Sequence, residues 1–267
     1  MTPLCLLLAL AAAPHGGKSL ADGQKALVDF RPEEAMQLLE KAKTEGPYGY
    51  ADHAKLYEQL GIAYAYLDLT DKAAEAFDTL LLIDPTWAIS YTLSPKVTFV
   101  FEQARNRAQS RPPPTLQVSW RHDLKITEEV PVDLEVIEDP RHFLRHVELH
   151  YRLKSSPAYE MIKVDLLPPG GRTTATIPPL GAASANRASI ELYMTAQDDA
   201  GNAVLLWGTS GRPREIPLDF DPPTPWYGRW WVWVAVGGAI AAGATATAIA
   251  VTREPAPTVP GTFEVGR

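Results

Sequence analysis

A chain of 267 residues with 25 basic and 32 acidic side chains is long enough for more than one domain, and its net charge of −7 leaves no basic stripe to neutralise phosphates. Nucleic acid is therefore not expected as a partner. The single cysteine, Cys5, lies in an apolar run at the N-terminus, so the chain beyond it has no disulfide and no cysteine ligand for a metal.

That apolar run, Leu4 to Ala13, is followed by Pro14-His15-Gly16-Gly17. It is too short to cross a bilayer but has the length of a signal-peptide core, so residues 1–13 are expected to direct the rest of the chain out of the cytoplasm. Pro3-Leu4 before Cys5 does not supply the small residues of a lipoprotein site.

Helical spacing governs residues 18–110. From Tyr57 to Pro85 the chain reads YEQLGIAYAYLDLTDKAAEAFDTLLLIDP, with Tyr57, Leu60, Gly61 and Tyr64 in a first helix and Ala73 and Phe77 in a second that Pro85 ends. Gly61 and Ala73 permit two antiparallel helices to approach closely, while Tyr64 and Phe77 fill the space beside them. This pattern resembles one tetratricopeptide repeat (TPR). The offset from Gly23 to Gly61 also separates Ala26 from Tyr64, Ala35 from Ala73, Leu39 from Phe77 and Pro47 from Pro85, which marks a degenerate earlier repeat. After Pro85, Ser94-Pro95 starts a further helix on which Val97, Phe101, Ala104 and Ala108 recur, the cap of a short array. The resemblance implies a module that holds partners. In such repeats the first helix lines the concave face, which places Lys55, Glu58, Ile62, Ala65 and Tyr66 towards a protein or peptide ligand, with Ile62 and Tyr66 as apolar anchors one turn apart.

Pro112 to Pro114 ends the helical period, and a period of two begins. Leu116, Val118 and Trp120 alternate with polar residues, as do Val132, Leu134 and Val136, then Val147, Leu149, Tyr151 and Leu153, and Ile190, Leu192 and Met194. About seven short strands over 115–219, separated by turn residues, predict a β-sandwich. Leu192 to Asn202, LYMTAQDDAGN, resembles the strand-then-turn ending of bacterial immunoglobulin-like and fibronectin-type envelope modules.

Residues 230–251 carry no charge, and a helix of that length spans roughly 33 Å, enough for a transmembrane segment. Trp226, Tyr227, Trp230, Trp231 and Trp233 crowd its start, where aromatic rings favour the headgroup region. Gly237, Gly238, Ala239, Ala241, Ala242 and Gly243 place small residues four apart and suggest a homodimer through this helix. A short tail, 252–267, completes the chain. The expected fold class is thus a TPR-like array, an immunoglobulin-like sandwich and one transmembrane helix. The expected location is a bacterial cell membrane, single-pass, with the bulk of the chain in the periplasm.

Signatures of catalysis are missing: there is no GxSxG, no Walker loop and no dinucleotide glycine pattern. His146-x-Glu148-x-His150 would share one face of a strand, but it lacks the zinc-protease order, and the apolar residues of opposite parity explain it as a solvated face over a core. No catalytic residue, metal ligand or cofactor is expected. The reading is a non-enzymatic, membrane-anchored adaptor. The alternative is a cell-wall or glycan receptor acting through the sandwich, which exposed aromatic side chains at Trp120 or Trp207 would favour.

Overall fold

Five helices precede eight strands in the computed structural model, which describes residues 17–90, 92–182, 188–219 and 230. The helices are α1 (Gly17–Val28), α2 (Pro32–Glu45), α3 (Tyr50–Tyr66), α4 (Thr70–Ile83) and α5 (Pro95–Ala108). The strands are β1 (Thr115–Trp120), β2 (Val130–Glu138), β3 (His146–Leu153), β4 (Glu160–Asp165), β5 (Arg172–Ile177), β6 (Ser189–Gln197), β7 (Ala203–Trp207) and β8 (Arg214–Pro217). The chain divides into two units at Pro222, and of the second only Trp230 is described.

Local chemistry accounts for the helix ends. Pro32 and Pro95 open α2 and α5, where a missing amide hydrogen costs nothing. Glu33 and Glu34 lie at the positive end of α2, and Arg105 and Arg107 at the negative end of α5. Two hairpins, α1–α2 and α3–α4, repeat one design. A Cβ on Gly23 would come within 3 Å of the Leu39 side chain, and one on Gly61 within 3 Å of the Phe77 ring, so in each pair a glycine admits the bulky residue of the opposing helix. The turns also match. Phe30 N–H donates to Leu27 O and Arg31 N–H to Ala26 O, while Asp68 N–H donates to Ala65 O and Leu69 N–H to Tyr64 O. Each turn therefore ends its helix with one residue in the left-handed region, Phe30 (φ 58°) and Asp68 (φ 63°).

These hairpins do not form the expected TPR array. In an open array the first helix of each hairpin keeps a free face. Here most of α3 beyond its first turn is enclosed, with Ala54, Leu56, Leu60, Ile62, Ala63, Tyr64 and Ala65 all buried and side chains such as Glu58, Gln59 and Tyr66 half-buried. It is the central rod of a bundle, packed by α1, α2, α4 and α5 and also by β7.

The β part consists of two antiparallel sheets, one ordered β1-β2-β5 and the other β4-β3-β6-β7, with β8 also on β6. Alternation supplies its interior: Val130, Val132, Leu134 and Val136 of β2 and Val147, Leu149 and Tyr151 of β3 are buried, as are Ile190, Leu192, Met194 and Ala196 of β6. The strands number eight, not about seven, because β7 and β8 pair with successive parts of the same edge of β6, at Met194–Gln197 and Ser189–Leu192. With that divided edge, and with β7 covered by α3, the immunoglobulin-like or fibronectin-like assignment is not retained.

The membrane expectations are corrected as well. Among the described residues no helix is long and apolar enough to cross a membrane. The fold class is therefore five helices followed by two antiparallel sheets, and the single-pass membrane and periplasmic location is withdrawn. Residues 1–13, the segment 230–251 apart from Trp230, its small-residue stripe from Gly237 to Gly243, and the tail 252–267 lie outside the described residues.

Helices and sheets join at the turn after β6. Asn202 Oδ1 accepts the Tyr48 N–H at 2.9 Å, Ala203 N–H donates to Tyr48 O at 2.9 Å, and the Asn202 amide donates to Asp198 Oδ2 at 2.9 Å. Gly46 leaves room for this insertion, since a Cβ there would lie 2.6 Å from Asn202 Oδ1. On α3, buried His53 donates Nδ1–H to Ala203 O at 2.9 Å, and its Nε2 lies 4.0 Å from Asp198 Oδ2. Burial is the dominant influence on His53 and holds its pKa below the usual value, opposed by the Ala203 hydrogen bond and the Asp198 charge. A histidine kept neutral by folding takes up a proton more readily when unfolded. Its contribution to stability is therefore complete above about pH 6.5 and is lost as the pH falls through the window below it. Melting temperatures from pH 8 down to pH 5 are expected to decline less steeply for His53→Gln than for the native chain; equal slopes would assign the acid sensitivity to other groups.

Candidate functional site

Beside the C-terminal half of α3, where β7 no longer covers it, a groove of about 390 Å³ remains open. Its floor is α3, through Glu58, Ile62 and Tyr66. One wall is the end of α1 with its turn, Leu27, Val28 and Phe30, and the other is formed by Ser90, Thr92 and Leu93. Helical spacing produces this floor, since positions 58, 62 and 66 recur every fourth residue on one face.

The rim is unusually apolar for a surface. Val28 is 70% exposed and Phe30 84%, and neither packs into its own core. The Phe30 position is set by the α1–α2 turn, whose hydrogen bonds force its backbone to positive φ; for a bulky aromatic this is a rare conformation of the kind that collects at functional sites. Opposite the rim, Glu58 is the one charged side chain among the described lining residues. Burial pushes its carboxyl up, countered in part by the Trp87 indole, Gln59 and Lys55. The Trp87 Nε1–H nevertheless makes no hydrogen bond of ordinary geometry, and Glu58 has no ion pair among the described residues.

Of the five residues expected to face a ligand, the structure brings Glu58, Ile62 and Tyr66 together in the groove. Lys55 is half-buried one turn earlier and does not line it, and Ala65 is buried in the bundle core. Phe30, Val28, Leu27 and Leu93 were not singled out from the sequence. Phe30 sits in a turn where no periodicity applies, although its place opposite Asp68 in the repeated hairpins was open to inspection. The helix α5 does not cover the groove.

Other candidate groups are otherwise engaged. His146 Nδ1 lies 2.7 Å from Asp165 Oδ1, and the His150 ring stacks on Tyr193 with centroids 4.6 Å apart. Among the described residues no group of three or more His, Cys, Asp or Glu could hold a metal. Trp120 and Trp207 are half-buried and pack edge to face at 6.2 Å, with the Arg214 guanidinium over the Trp207 ring.

No protein-family model and no curated protein matches the chain. Among solved structures it is similar to the sensor domain of the anti-sigma factor RsgI4 from Pseudobacteroides cellulosolvens, over 37% of this chain and 95% of that one, with 12% identity and a TM-score of 0.26. A likeness at that level bears on neither fold nor function.

Proposed function

We propose that this chain is a non-enzymatic adaptor that holds a protein or peptide partner in the groove between α1, α3 and the side chains of Ser90, Thr92 and Leu93. The observation that carries this reading is the open groove of about 390 Å³ whose rim presents Val28 and Phe30 to solvent. Large apolar side chains clustered at the edge of a concavity mark a surface that another apolar surface covers. Trp120 and Trp207, half-buried and packed edge to face, give less support to a glycan platform on the sheets.

The test is a pull-down comparing the native chain with a Phe30→Ala, Tyr66→Ala double variant. Both side chains are at least partly exposed, so the fold is expected to survive, which a melting curve checks. Partners captured by the native chain are expected to be lost or reduced more than tenfold in the variant, a loss of roughly 1.4 kcal/mol or more. Partners retained at native yield by a folded variant would move the binding surface elsewhere.

A further inference from the structure

We infer that the occupant of the groove is an amphipathic helical segment carrying a basic side chain beside its apolar stripe, with that cation seated on Glu58. The inference rests on the adaptor reading and adds the partner's chemistry to it.

Three observations converge. The first is shape: Val28, Phe30, Tyr66 and Leu93 offer apolar surface along a cleft whose floor is a helix, with buried Ile62 at its base, the setting in which a second helix buries residues at i, i+3, i+4 and i+7. The second is charge. Glu58 is the one charged side chain among the described lining residues, it is half-buried, and no cation among the described residues pairs with it within 4 Å. Lys55, the nearest cation on the same helix, stays outside the lining and only tempers it. The third is what closure would do. An occupant that covers the groove strips water from Glu58, and a carboxylate without a paired cation in an apolar seam is costly unless a partner charge meets it. An apolar segment without a cation would therefore be disfavoured, and one bearing an acidic residue at that place more so. A lysine or arginine on the occupant turns the same desolvation into a close pair in a low-dielectric setting. The acidic balance of the chain, net charge −7, favours the approach of a basic segment as well.

The experiment uses the full chain and two fluorescently labelled synthetic helical peptides. Each has leucines at i, i+3, i+4 and i+7, and they differ at one flanking position that is lysine in one and glutamate in the other. Binding is read by fluorescence anisotropy at low salt. The lysine peptide is expected to bind about tenfold tighter or more, with the preference shrinking as salt is added. In Glu58→Gln the preference is expected to collapse to less than about threefold while apolar binding persists, and in Phe30→Ser both peptides are expected to weaken together. Equal binding of the two peptides by the native chain, or a preference that survives in Glu58→Gln, overturns the basic occupant and leaves the groove reading standing. Failure of both peptides to bind the native chain overturns the groove reading and this inference with it.

Discussion

Replacing Phe77 with alanine is expected to remove about 3–5 kcal/mol of stability, enough to lower the melting temperature by roughly 10 °C. The ring is fully buried, sits against Gly61 of α3, and meets Phe101 of α5 edge to face at 5.3 Å, so its loss opens a void where three helices converge. The complementary change is Gly61→Ala. A methyl there would lie within 3 Å of three ring atoms of Phe77, and overpacking of this kind costs about 1–3 kcal/mol. Because the two positions share one space, Gly61→Ala combined with Phe77→Leu should be less unstable than the sum of the single changes. Chemical denaturation of all four chains measures the coupling, expected at about 0.5–3 kcal/mol. A neutral Gly61→Ala would mean that the hairpin does not depend on this close approach.

The second large effect is expected at Asn202. Its side chain accepts the Tyr48 N–H and donates to Asp198, and it is nearly buried between the helices and the sheets. Asn202→Ala leaves the Tyr48 amide without its acceptor inside that seam, a loss of about 1–3 kcal/mol. Hydrogen exchange distinguishes this from a general weakening: the amides of Tyr48 and Ala203 should lose protection first, before those of β2 and β3. Uniform loss across the β part would place the effect in the sheets themselves.

Much of this architecture was legible in the sequence, and the illegible parts share a cause. The change from a helical period to a period of two after Pro112 to Pro114 falls between α5 and β1, because each period reflects a purely local geometry. The constant offset marks the second hairpin as a copy of the first, but the close approach expected at Gly61 and Ala73 is made in the structure by Gly61 with Phe77, and by Gly23 with Leu39. What failed depended on distant contacts. How much of α3 stays open is decided in part by β7, which is more than a hundred residues away and reaches its first half through Ala203 and His53. No window of sequence around α3 carries that information, so the spacing of Tyr57, Leu60, Gly61 and Tyr64 resembles a helix of an open array. The division of the β6 edge between β7 and β8 is likewise a matter of pairing, not of strand propensity. In the groove, Glu58, Ile62 and Tyr66 belong to the set implied by the repeat resemblance, whose other members, Lys55 and Ala65, lie elsewhere, whereas Phe30 is placed by a turn.

The matched turns at Phe30 and Asp68 bear on how such a chain can change over time. Both residues occupy a backbone conformation in which a β-carbon is a burden of about 1–2 kcal/mol, and aspartate, with its short polar side chain, tolerates it better than phenylalanine does. Glycine at position 30 would relax the turn and remove a greasy side chain from solvent, so selection for a sturdier or more soluble molecule alone would push this site away from an aromatic. Under the proposed adaptor role, a lineage released from its partner would be expected to drift there first, becoming more robust as it loses its grip.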